Sequence, residues 1–257
     1  MTNETQQSAG KFYGIGVGSG DPELLTVKAI RAIEKADIII APKTEKKEGS
    51  VALSIANPYL RKETQIVYQV FPMIKNFSDS PEAWKKNTAE IMTYLRAGKN
   101  VAFLTLGDPM LYSTYIYIFR LLKKAAADIE TIPGIPAFLA ISSRLGYPIA
   151  TGNDILTIIP ACGPHEKIDR ALKAADNAVL MKVYHDFADT AQLLKDNDLS
   201  KNAVMASRCG LEGEKIIYDL DSADTAAAIN YLSTILTRRH DTDTIISDSD
   251  ELSDADS

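Results

Sequence analysis

Short apolar runs and longer amphipathic stretches alternate along most of this chain. Phe12-Tyr13-Gly14-Ile15-Gly16-Val17 reads as a buried strand, and Leu24 to Lys35 follows as a helix with apolar Val27, Ile30 and Ile33. Asp37 leads into a strand, Ile38-Ile39-Ile40, which Pro42 should stop. Ser50 is placed to cap a short helix that Pro58 disturbs, and Ile66 to Phe71 reads as the next strand. Ser80-Pro81 starts a helix, with proline at its first position. Trp84, Thr88, Ile91, Met92 and Leu95 then share one face, which reads as core rather than as a ligand contact, and Gly98 ends the helix. A strand over 101–106, a helix from about Ser113 to Lys124 and a strand Ile129 to Ile132 complete the first series.

A second series begins after Gly146-Tyr147-Pro148. It predicts strands at 155–159, 178–183, 203–206 and 215–218, and helices at about 165–175, 187–195 and 223–237. Such alternation predicts an α/β fold with mostly parallel sheets. The expected organisation is a flexible N-terminus over 1–10, one α/β domain over 11–150, a second over 151–240, and a cleft between the two that holds the active site. No repeat of solenoid length is present.

Two Gly-Asp-Pro turns close strands of the first series: Gly20-Asp21-Pro22 and Gly107-Asp108-Pro109. A turn of this kind at a strand's carboxyl end lies where open α/β sheets bind small ligands. Glycine lets a ligand approach the backbone, and the acid accepts hydrogen bonds from hydroxyls or an amine. Asp21 has a second reading, as the cap of the helix after it. A dinucleotide reading of Gly14-x-Gly16-x-x-Ser19 fails twice: the third glycine is missing, and the next strand ends in Ala41-Pro42 with no acid for a ribose. This disfavours a nucleotide-binding oxidoreductase. No phosphate loop is present. After the second turn come Tyr112, Ser113, Thr114 and Tyr115. Ser113 or Thr114 can cap the helix, whereas the two phenol rings suit a flat substrate.

Composition changes the picture at one place. The chain has 257 residues, 46% hydrophobic and 24% charged, ample for one large or two small cores. Its net charge is −6, but seven of its 34 acids lie in 241–257, where there is no Lys or Arg. Without them 27 acids face 28 bases, a body of net charge +1. The Ser/Asp-rich tail is expected to be disordered, and a near-neutral body argues against general nucleic-acid binding. No apolar stretch is long enough to span a bilayer. The polar first ten residues and two isolated cysteines, Cys162 and Cys209, favour a reducing, cytoplasmic setting. Cys162 reads better as a small buried residue than as a cleft residue.

Three segments together resemble the tetrapyrrole (corrin/porphyrin) methylase family, over roughly residues 11–240. They are Gly16-Val17-Gly18-Ser19-Gly20-Asp21-Pro22-Glu23-Leu24-Leu25-Thr26-Val27-Lys28-Ala29, Val101-x-x-Leu104-x-x-Gly107-Asp108-x-x-x-Tyr112-Ser113, and Pro133-Gly134-Ile135-Pro136-Ala137. The family usually has proline where Ser19 stands. Phe71-Pro72-Met73, Trp84 and 105–115 look most like the branch that methylates C-20 of precorrin-2, or of cobalt-factor II, in cobalamin synthesis. Related methylases that act on another corrinoid position, or on a modified amino acid in a protein, are the alternative. A silent binding protein of the same fold is a further one.

The resemblance implies S-adenosylmethionine as cofactor, with S-adenosylhomocysteine as product, a tetrapyrrole substrate and a homodimer. It implies cofactor contacts at Ser19, Leu106, Gly107, Asp108, Leu111, Pro136, Ala137, Val183 and Arg208. The methyl sulfonium is already a strong electrophile, so the protein's main task is alignment, with no metal set or nucleophilic side chain required. No general base is identified. A substrate with several carboxylates calls for cations. Candidates beside Tyr112, Ser113 and Tyr115 are Arg144 and His185, then Lys43, Lys182 and Arg208; each cation reads equally as a solvated surface charge. His165 and His240 have weaker cases. The apolar helices at 113–124 and 136–145 could supply a dimer interface or face a sheet.

Overall fold

The computed structural model describes residues 9–43, 49–71, 81–221, 223–224 and 229–240. The tail 241–257, the N-terminal residues 1–8, Pro72-Met73 and the Ser80 cap lie outside the described residues. The chain divides into two compact units, Met1–Pro136 and Ala137–Ser257. The division falls ahead of the change near residue 150 expected from the sequence.

The first unit contains β1 (Phe12–Gly16), α1 (Val27–Lys35), β2 (Ile38–Lys43), α2 (Val51–Ala56), β3 (Gln65–Val70), α3 (Pro81–Arg96), β4 (Val101–Thr105), α4 (Tyr115–Lys124) and β5 (Ile129–Ile132). The five strands pair in the order β3-β2-β4-β1-β5, all parallel. Near-continuous apolar strands suit a sheet covered on both faces. Phe12, Phe103, Trp84, Ile91, Tyr115 and Ile118 form the centre of one core cluster, each 0–1% exposed. Thr26 starts α1, its Oγ1 accepting from the Ala29 N–H at 3.1 Å. The helix buries Ala29, Ala32 and Ile33, and Val27 is 63% exposed. Of the expected Val27, Ile30 and Ile33, Ile33 is buried, Ile30 is half-buried and Val27 faces out, with Ala29 and Ala32 completing the buried face. Pro42 does not stop β2. Beyond Ile40 the strand pairs only with β3, so a proline that lacks an N–H is accommodated there.

Tyr115 is a core residue, which corrects its expected substrate role. Its ring stacks against Phe12 at 6.2 Å, lies over Gly14, and has no exposed surface. Its hydroxyl meets Thr131 Oγ1 at 2.6 Å. Burial pushes the phenol pKa upward.

The strand ends of this unit are tied backbone to backbone. A Cβ on Gly16 would sit 2.5 Å from the Gly107 carbonyl oxygen and 2.5 Å from the Gly134 nitrogen. A Cβ on Gly134 would strike the same Gly107 oxygen and lie 2.6 Å from the Gly16 carbonyl carbon. At the opposite end, Glu130 on β5 takes Lys28 at 2.6 Å and Lys11 at 2.9 Å. The hydrogen bonds from Lys28 and Lys11 hold its carboxyl below the usual range.

The second unit contains α5 (Ala137–Leu145), β6 (Leu156–Pro160), α6 (His165–Lys173), β7 (Asn177–Met181), α7 (Phe187–Asp196), β8 (Val204–Ser207), β9 (Lys215–Ile217) and β10 (Ser233–Arg238). Its sheet order is β6-β7-β10-β8-β9. Only β6 and β7 are parallel; β10 runs antiparallel to both neighbours, and β8 to β9. The helix expected over 223–237 is thus overturned, since 233–238 is a central strand. Thr234, Ile235 and Thr237 are β-branched and buried between two strands, where burial outweighs the helical pattern of the alanines before them. Arg239 closes this sheet edge. Its guanidinium donates to the carbonyls of Leu172, Ala175 and Asn197 at the ends of α6 and α7. Among the described residues, no helix is long and apolar enough to cross a membrane.

Gly134→Ala should lose about 3 kcal/mol or more by chemical denaturation, because the contact is with backbone that cannot rotate away. Gly146→Ala, at φ +59 with nothing within 4 Å of the new Cβ, should lose only about 1–2 kcal/mol. Glu130 has a depressed folded-state pKa, so its ion pairs stabilise above the unfolded value of about 4.3 and that contribution is lost as pH falls through the lower folded value. Glu130→Gln should therefore narrow the difference in Tm between pH 7 and pH 3; an unchanged difference would refute this role.

Candidate active site

All strands of the first sheet end at one edge, and the chain leaves adjacent β1 and β4 in opposite directions. From β1 it passes to β2 on one side, and from β4 to β5 on the other. Such a topological switch point is where open α/β sheets bind ligands. The three segments singled out in the sequence lie here: 16–29 after β1, 106–113 after β4 and 133–137 after β5.

The loops are hydrogen-bonded to one another. The Gly107 N–H donates to the Gly18 carbonyl at 2.7 Å, and the Gly18 N–H to the Gly107 carbonyl at 3.4 Å. Asp108 ties the third loop in. Its Oδ1 accepts from the Met110 N–H at 2.8 Å and its Oδ2 from the Gly134 N–H at 3.1 Å. The Asp21 carboxylate makes only the local equivalent, accepting from the Glu23 N–H at 2.8 Å at the start of a 3-10 turn, Pro22–Leu24. Asp21 therefore caps this short turn, and the cap of the helix itself is Thr26. The Gly134 N–H as partner of Asp108 was not legible in the sequence, because it joins residues 26 apart.

Ser19, Leu106, Gly107, Leu111 and Pro136 of the first unit are half-buried, as is Ala137, the first residue of the second. Ser113 bonds Thr105 Oγ1 at 2.8 Å and accepts from the Tyr115 N–H at 3.1 Å, so it starts α4. Tyr112 is 41% exposed and holds a left-handed backbone, φ 50.

The predicted residues of the second unit fare unevenly. Val183 is 0% exposed in the core and cannot meet a cofactor, which corrects that expectation. Arg144 ion-pairs with Glu214 at 2.9 Å. Burial would raise the Glu214 pKa, but the Gly210 N–H and Arg144 outweigh it and hold the carboxyl below its usual value. Arg208 has φ 54, and its Nε donates to the Glu212 carbonyl at 2.7 Å. His185 is exposed beside the Tyr184 ring at 4.1 Å. In the first unit, Lys43 ends β2 over the Tyr68 ring at 5.7 Å. Cys162 is exposed, against the expectation of burial, while Cys209 is buried and its thiol pKa is pushed up by that burial. Among the described residues, His165, Asp186 and Asp189 bring ligand atoms within 4.8 Å of one another; all three are exposed, and His165 already pairs with Asp189 at 3.1 Å.

This arrangement has relatives. The family model of Tetrapyrrole (Corrin/Porphyrin) Methylases matches residues 11–224. A cobalt-precorrin-2 C(20)-methyltransferase of Salmonella typhimurium is 36% identical over 230 residues, 90% of this chain and 97% of that protein. A probable cobalt-precorrin-2 C(20)-methyltransferase of Methanocaldococcus jannaschii is 30% identical over 89% and 96%. Among solved structures, a cobalt precorrin-4 methyltransferase superposes with a TM-score of 0.73 at 21% identity, over 89% of this chain and 94% of that one. A Thermus thermophilus uroporphyrin-III C-methyl transferase complexed with S-adenosyl homocysteine gives 0.67 at 17%, over 89% and 97%. These two likenesses carry the fold alone. With its three motif loops joined at one sheet edge and relatives matched almost end to end, the chain belongs to the tetrapyrrole (corrin/porphyrin) methylases.

Proposed function

We propose that this protein is an S-adenosylmethionine-dependent methyltransferase that methylates C-20 of precorrin-2, or of its cobalt-bound counterpart cobalt-factor II, in cobalamin biosynthesis. The observation that carries the reading is the full-length similarity to C(20)-methyltransferases, together with the motif loops that Asp108 joins. The methyl donor is the electrophile. One S–C bond breaks, one C–C bond forms, and the C-20 proton leaves.

The chain's own residues hold and orient. Each Asp108 oxygen uses one acceptor position on a backbone N–H and keeps another for an amine or hydroxyl of the donor. Gly107 lets the donor reach the backbone, Leu106 and Leu111 offer apolar walls, and Ser19, Pro136 and Ala137 complete the contact. Tyr112 and Ser113 remain on the substrate side of the same loop. Alignment of carbon, methyl and sulfur is the main contribution to rate. A homodimer in the cytoplasm belongs to the same proposal; sedimentation velocity reads the first part.

Incubation with labelled S-adenosylmethionine and either metal-free precorrin-2 or cobalt-factor II should give a product one methyl heavier. Mass spectrometry and NMR should locate the methyl at C-20; label at another carbon would favour a different corrinoid methylase, and label in neither substrate would sink the proposal. Asp108→Asn keeps one carbonyl acceptor and should weaken cofactor binding about tenfold by calorimetry, a change of about 1.4 kcal/mol. Asp108→Ala should bind as weakly and also lose about 1–3 kcal/mol of stability, since two N–H groups lose their acceptor. Wild-type affinity in Asp108→Asn would leave this residue as a loop tie only.

A further inference from the structure

The last turns of α4 form a surface that the methylase reading does not use. The helix starts beside the motif loops and, since β4 and β5 run the same way, returns toward the start of β5. Its 10 residues carry the chain about 15 Å back along the sheet. Among the described residues, Tyr117, Arg120, Leu121, Lys123 and Lys124 line an open groove there of about 510 Å³. Leu121 and Tyr117 are half-buried, Tyr117 against the Trp84 ring at 5.1 Å, and the three cations are exposed.

The helix carries no acid, and among the described residues no carboxylate pairs with Arg120, Lys123 or Lys124. A helix C-terminus favours the two lysines through its dipole. The dipole does not account for Arg120 a turn earlier, nor for an apolar floor between cations. Cationic rims around an apolar floor fit an acidic segment that carries apolar side chains. The chain has such a segment in its tail, 241–257, with seven acids and no Lys or Arg. There Ile245-Ile246 stands between Asp241 and Asp243 on one side and Asp248, Asp250 and Glu251 on the other. The tail lies beyond residue 224, where the family match ends, so the family likeness assigns it no role.

We propose that the α4 groove is the docking site of this chain's own acidic tail. Ile245 and Ile246 meet Leu121 and Tyr117, and the flanking acids meet Arg120, Lys123 and Lys124. The tail extends to about 55 Å, and about five of its residues cover the length of α4, so the remainder serves as tether. Single exposed ion pairs contribute little. The contact therefore depends on several charges acting together, on the apolar pair, and on the tether, which makes the encounter intramolecular. It stands whichever substrate is methylated.

The test uses the full chain with a nitroxide on Ser249→Cys, in a Cys162→Ser background because Cys162 is exposed. Amide NMR signals are compared with those of the same sample after the nitroxide is reduced. At low salt the amides of 121–124 should lose about half their intensity or more, and about 1 M NaCl, which screens charges beyond about 3 Å, should restore them. Arg120→Gln, Lys123→Gln and Lys124→Gln together should restore them at low salt with little change in melting, since all three side chains are exposed. Ile245→Ser with Ile246→Ser should do the same from the tail's side. Unperturbed α4 amides, broadening centred on another surface, or broadening that survives the loss of both isoleucines overturns the proposal. A mixture of isotope-labelled copies without nitroxide and spin-labelled copies without isotope tests the other occupant. Broadening of α4 in that mixture gives the groove to the tail of a second copy and overturns the intramolecular docking.

Discussion

The close approach of three backbones, at Gly16, Gly107 and Gly134, is the constraint from which the first unit's site follows. No side chain separates β1 from the loops after β4 and β5, so the three loops lie directly against each other. Close packing of backbone on backbone leaves almost no room to relax. Any residue larger than glycine would separate the loops that carry the three motifs. The Gly18–Gly107 bridge and the reach of Asp108 to the Gly134 N–H depend on that proximity.

Two turns of nearly identical chemistry thereby acquire different roles. Asp21 and Asp108 each accept from the N–H two residues ahead, as an Asx turn does. Only Asp108 has a neighbouring loop within reach of its second oxygen. It thus ties its own turn and the loop after β5 with one carboxylate.

Much of the first unit was legible because a parallel sheet announces itself: short apolar runs, each followed by an amphipathic helix. Trp84 and Ile91 on α3 fell on the buried face that their spacing predicts. Tyr115 was misread because a tyrosine beside a ligand-edge turn looks the same in sequence whether its ring turns outward or, as here, fills the space over Gly14. Val27 misled for a similar reason. It is larger than Ala29 and Ala32, yet those two join the expected Ile33 on the buried face while Val27 faces out. The strand at 233–238 was read as helix because alanine-rich sequence precedes it, and only its place between β7 and β8 decides otherwise.

From the sequence alone came the α/β class, the order of elements in the first unit, the three motifs and the family they resemble. These are local properties: periodicity, turn chemistry and residue identity at fixed spacing. Tertiary structure decided which acid ties the loops, which tyrosine is core, and that the second sheet is mixed. Each of these depends on contacts between residues far apart in the chain, and no local pattern encodes such distances.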